Sequence, residues 1–105
     1  MGKCIISDDG RFEWDEEKDR LNVKNHGFSF DEIVEVFDDP AFLEGYDYEH
    51  SKNEDRYYGI GCLNGIVIII VFYTERGKRT RIFSARQAGA GEEERYHDYF
   101  KKSNG

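Results

Sequence analysis

The sequence has only two cysteines, Cys4 and Cys62, and their spacing makes no Cys-x-x-Cys pair. That excludes a disulfide-stapled scaffold and a cysteine zinc site, so two reduced thiols are expected. The three histidines, His26, His50 and His97, fall in different stretches with no cysteine or carboxylate at ligand spacing. No metal and no cofactor are expected on that ground. There is no basic segment followed by an apolar stretch at the N-terminus and no apolar run of membrane-spanning length. The expectation is therefore a cytoplasmic chain with no membrane partner. Low-complexity tracts and internal repeats are lacking too. So is net positive charge: the formal charge is −7 and the pI near 4.9, so the chain as a whole does not suggest a nucleic-acid binder.

What is present begins with Ile66-Val67-Ile68-Ile69-Ile70-Val71-Phe72-Tyr73, an unbroken β-branched and aromatic run bounded by turn residues. It reads as a strand buried on both faces. At 105 residues the chain is one domain, residues 1–105, with a modest core, and 15% aromatics offset a hydrophobic content of only 38%. Immediately after the run, Glu75 to Arg86 carries five basic residues against one acidic, a local +4 that leaves −11 on the rest. A patch of that kind can attract phosphate within an otherwise acidic molecule.

Taken in order, residues 1–11 read as a loose end, with turn chemistry at Ser7-Asp8-Asp9-Gly10, and Phe12-Glu13-Trp14 as a short strand. Asp15 caps a helix from Glu16 to about His26, stopped by Gly27. Its aliphatics are few, while Lys18, Asn22 and His26 recur at i, i+4, i+8 and make one polar stripe, either a solvated face or groups lining a site. Ser29-Phe30-Asp31-Glu32 is a capping box. The helix it opens should pack Phe30, Ile33, Val34 and Phe37 on the sheet and end at Asp38-Asp39-Pro40.

Four strands follow, at about Phe42–Tyr48, Arg56–Leu63, Ile66–Thr74 and Lys78–Arg86, with tight turns at Asn64-Gly65 and Glu75-Arg76-Gly77. Short connections imply an antiparallel meander. A last helix, about Glu92–Lys102, presents Tyr96, Tyr99 and Phe100. The expected fold is α+β in the order β-α-α-β-β-β-β-α, a four-stranded antiparallel meander packed by helices. Because Ile66–Tyr73 does not alternate, the second face of the sheet must be covered by the last helix, by a partner chain, or by both.

Strand parity places Arg79 and Arg81 on one face with Phe83, and Thr80, Ile82, Ser84 and Arg86 on the other. Arg86 would then stand in line with a core residue and require a partner or a ligand. The alternative for these arginines is ordinary edge-strand charge. His50 lies in the polar loop 50–55 and His97 on the last helix, both expected to be solvated. His26, beside the helix stop, is placed to exchange a proton near neutral pH.

Together, Phe12-Glu13-Trp14-Asp15, Lys18, Asn22, His26-Gly27, Phe30, Arg56-Tyr57, Tyr73-Thr74-Glu75-Arg76 and Arg81-Ile82-Phe83-Ser84-Ala85-Arg86 resemble the BrnT family of type II toxins. The resemblance implies a RelE-like fold and a ribonuclease that arrests translation by cutting RNA. It also implies silencing by a BrnA-like antitoxin with a ribbon-helix-helix DNA-binding region, operator DNA being contacted only through that antitoxin. Carried onto this chain, it makes Lys18 and His26 the proton-transfer candidates, Arg76, Arg81 and Arg86 the phosphate ligands, and Glu75 a further base candidate. The chemistry would be metal-independent attack of a ribose 2′-hydroxyl on the adjacent phosphate. Two positions depart from the family pattern. Asn25 stands where members often have lysine before the His-Gly pair, and Gln87, Gly89, Ala90, Gly91, Glu93 and Glu94 replace a basic stretch. Both remove positive charge near the RNA path. An interaction module that binds an antitoxin and co-represses its operon without cutting RNA is the alternative.

Overall fold

In the computed structural model, which describes residues 2–104, the apolar run becomes the fourth-placed strand of a six-stranded sheet. Along the chain come β1 (Cys4–Ile6), β2 (Phe12–Asp15), α1 (Glu16–His26), α2 (Phe30–Ile33), a 3-10 turn (Val34–Asp38), β3 (Leu43–Tyr46), β4 (Tyr57–Leu63), β5 (Val67–Arg76), β6 (Arg79–Gln87) and α3 (Ala90–Asn104). The spatial order is β1-β2-β6-β5-β4-β3. The expected meander is the β3-to-β6 portion, closed by Asn64 and Gly65 at positive φ (56° and 69°) and by Gly77 at 61°.

One expectation about the N-terminal end is corrected. Residues 4–6 are not loose: they pair antiparallel with β2, and Ile5 packs against the main core. The expected four-stranded meander is extended by β2, which lies parallel to β6, with Phe12, Glu13 and Trp14 opposite Thr80, Arg81 and Ile82. Met1 and Gly105, part of the single-domain reading, lie outside the described residues.

The predicted α1 forms with its predicted ends. The Asp15 side chain accepts from Lys18 N at 3.0 Å, and Gly27, at φ 82°, donates its N–H to Val23 O at 2.9 Å. The capping box also forms, but the helix it opens makes a single α turn and then tightens to 3-10 geometry. The predicted face shifts accordingly. Phe30, Ile33 and Val36 are fully buried, the i, i+3, i+6 rows that a three-residue turn lines up, and Phe37 is only partly buried.

These residues cover one face of the sheet with Phe12, Trp14, Leu63, Ile69, Val71, Tyr73, Ile82 and Ala85. Gly59 is required there, because a Cβ would lie 1.9 Å from the Phe42 ring. The other face is covered by α3 at one end only. Tyr96 packs with Ala41, Ile60 and Ile70, and its hydroxyl donates to Asp39, whose same oxygen accepts from Cys62 N at 2.8 Å. The last helix therefore accounts for part of the doubly buried β5, and the β6 end of this face stays open. Among the described residues, no helix is long and apolar enough to cross a membrane.

Candidate functional site

The open end of the second face is organised by an irregularity in β6. Tyr73 pairs with Ile82 and Phe72 with Ser84, so Phe83 is an extra residue with no partner on β5. A bulge of this kind resets the alternation of side chains beyond it. Arg86, expected beside Ile82, is therefore on the opposite face, opposite Ile70 and 5.9 Å from the Phe72 ring centroid. Ala85 takes the core-facing place instead. Phe83 and Ser84 both face the open side, where they line two adjoining clefts.

The first cleft is bounded by α1, whose polar stripe divides in function along its length. Asn22 is buried: its Nδ2 donates to Phe28 O at 2.9 Å and its Oδ1 accepts from Ala85 N at 3.0 Å. The paired part of β2 ends opposite Ile82, so Asn22 supplies the hydrogen bond that a neighbouring strand would otherwise give Ala85. Asp15 and Gly27 are the helix ends. Lys18 and His26 are the stripe residues left to line the cleft with Phe83 and Ser84, and Lys18 Nζ lies 5.1 Å from the Phe83 ring centroid.

Arg56 places its guanidinium 4.0 Å from the same centroid. Two cations thus approach one aromatic ring, each such contact worth about 0.5–2 kcal/mol. Arg56, expected to open a strand, instead precedes β4 at the end of the polar loop, and that loop, with His50 exposed as expected, is held by its own hydrogen bonds. Ser51 Oγ donates to Asp47 O at 2.6 Å and accepts from Arg56 N at 2.8 Å, closing the loop. The Asp47 carboxylate accepts from His50 Nδ1 at 2.9 Å and is nearly covered, at 12% exposure. His50 is an anchored ring that lines the second cleft with Asp47, Arg56 and Phe83. The Asp-x-x-His spacing was the sequence signal for it.

The family arginines are each held by a carboxylate. Arg86 donates to both oxygens of Glu92, at 2.8 and 2.9 Å, in the first turn of α3. That pairing raises the affinity of the guanidinium for its proton and holds the Glu92 carboxyl below its ordinary value. Arg81 donates to Glu13 at 2.8 Å, and Arg76 to Glu54 at 3.2 Å. Glu75 accepts from Thr80 Oγ1 at 2.7 Å. Of these, Arg86 lines a third cleft, with His50, Phe72 and Arg95. Arg76, Arg81 and Glu75 border none of the three clefts. Glu13, Glu54 and Glu92 are far from their arginines in the chain or beyond the strand, so their neutralising role did not show in the local +4. Among the described residues, no three His, Cys, Asp or Glu side chains converge closely enough to hold a metal ion.

Residues 14–92 match the family described as the ribonuclease toxin, BrnT, of type II toxin-antitoxin systems. No curated protein matches. Among solved structures, the chain is similar to the Brucella abortus ribonuclease toxin BrnT, with a TM-score of 0.61 and 29% identity over 72% of this chain and 92% of that one. The expected α+β fold is thus the fold of a known toxin, and the match spans β2 to the start of α3, the elements that build the clefts. The chain belongs to the BrnT family of ribonuclease toxins of type II toxin-antitoxin systems.

Proposed function

We propose that this toxin cleaves RNA at the Phe83 ridge by proton transfer and cationic stabilisation, on the RelE-like plan and in the cytoplasm, without a metal ion. The observation that carries the reading is the Phe83 ring approached by Lys18 and Arg56, with His26 in the adjoining cleft. A base among Lys18 and His26 takes the 2′-hydroxyl proton and the 2′-oxygen bonds to phosphorus. The bond to the 5′-oxygen breaks, leaving a 2′,3′-cyclic phosphate and a 5′-hydroxyl. Lys18 and Arg56 stabilise the charge added to the phosphate, and Arg86 extends the cationic path. Arg76, Arg81 and Glu75 act outside this centre, Arg81 and Arg76 on phosphates further along the strand. The antitoxin is of the ribbon-helix-helix BrnA type and carries the toxin to operator DNA.

A second reading, an antitoxin-binding module without nuclease activity, is favoured by the carboxylate held against each of Arg76, Arg81 and Arg86. One experiment separates the two. Purified chain is incubated with single-stranded RNA, with and without EDTA, beside Lys18→Ala/Arg56→Ala. The nuclease reading expects cleavage that survives EDTA and falls at least about 10²-fold in the variant. Intact RNA with tight antitoxin binding gives the second reading.

A further inference from the structure

We infer that His50 is the catalytic acid of this site, delivering a proton to the departing 5′-oxygen from the cleft that adjoins the one lined by His26 and Lys18 and shares Phe83 and Ser84 with it. The inference rests on the nuclease reading and adds to it a residue to which the sequence resemblance gave no role. Displacement at phosphorus places the entering and leaving oxygens on opposite sides, so a metal-free site gains most from proton-transfer groups on both sides. The chain's first cleft supplies one side from α1. The second supplies the other, and the two share Phe83 and Ser84.

Within the second cleft, His50 is set up for the role. Its Nδ1 is bound to Asp47 at 2.9 Å, which leaves Nε2 as the nitrogen available to a substrate. Asp47 is itself fixed: its other oxygen accepts from His50 N at 3.3 Å, and its carbonyl accepts from Ser51 Oγ. The carboxylate offsets the positive charge the ring carries while it holds the proton to be given up. Ser51 also binds Arg56 N and accepts no slack in the loop, so the proton donor and the cation beside Phe83 are parts of one closed unit.

The test uses two substrates. One is a dinucleotide with its natural 5′-oxygen leaving group. The other is uridine 3′-(4-nitrophenyl phosphate), whose leaving group departs without a proton. His50→Gln is expected to lose about 10²–10⁴-fold on the first and to stay within a few-fold of wild type on the second. His26→Gln/Lys18→Ala is expected to lose on both, because attack by the 2′-oxygen is common to them. Added imidazole should restore cleavage of the dinucleotide by His50→Ala. Equal loss on both substrates without imidazole rescue, or no loss on either, overturns the assignment of His50 while the nuclease reading stands. A wild-type chain inert on both substrates overturns the nuclease reading, and the role of His50 with it.

Discussion

The two faces of the one sheet are built on different terms. The face under α2 and the 3-10 turn is dry: Phe30, Ile33, Val36, Ile69, Val71 and Ile82 are fully buried, and hydrophobic burial at roughly 1.5–3 kcal/mol for each large side chain holds it together. The opposite face has a small buried cluster under Tyr96, and beyond it polar groups held by specific partners: Arg81 by Glu13, Arg86 by Glu92, His50 by Asp47. The first face secures the fold, and the second is free to position charge because it does not have to. A functional surface on so short a chain requires this division, since removing one site residue then leaves the core intact.

The comparison is broken most directly by truncating one phenylalanine from each face. Phe30→Ala should cost about 3–5 kcal/mol of unfolding free energy in urea. Phe83→Ala should cost about 1 kcal/mol while abolishing most RNA cleavage, and similar costs for the two would erase the distinction. Asn22 joins the faces, since its side chain serves β6 from α1. Asn22→Ala leaves the Ala85 N–H and the Phe28 carbonyl without their partner and should cost about 2–3 kcal/mol.

A smaller effect is expected from Glu92→Gln, and it depends on pH. Arg86 lowers the carboxyl's folded-state pKa below its ordinary value, so its contribution is complete above the ordinary glutamate range. It is lost as pH falls through the lowered value. Urea midpoints of wild type and variant should therefore differ at neutral pH and converge in acid. The least change, about 0–1 kcal/mol, is expected of Glu54→Ala, whose pairs with Arg76 and Arg56 are partly exposed.

Local chemistry made much of this molecule legible. Asp15, Gly27, Ser29 with Glu32, and Asn64-Gly65 each act within a few residues, and the ends of α1 and the β4-β5 hairpin followed from them. What was not legible depends on residues far apart. The parallel pairing of β2 with β6 joins Trp14 to Ile82, and the carboxylates on Arg76 and Arg81 come from Glu54 and Glu13. The short β1 carries too few residues to show a period. Lys18 and His26 were found as a stripe, but the jobs of the residues between them appeared only with β6 beside the helix. Arg56 was visible as a family residue at the start of a strand without its contact to Phe83, and His50 was passed over because a polar loop gave no sign of closing on itself.

The extra residue in β6 ties the surface to strand register. Deleting Phe83 would close the bulge and leave Ser84, Ala85 and Arg86 opposite Phe72, Val71 and Ile70 on their present faces, whereas pairing Phe83 with Phe72 would move every residue beyond it by one, turning Arg86 toward the core and Ala85 toward solvent. This stretch keeps its inside and outside only while Phe83 stays out of the ladder. What is encoded there is a count: a shift of one in the reading of the strand would exchange the inside of the protein for its outside.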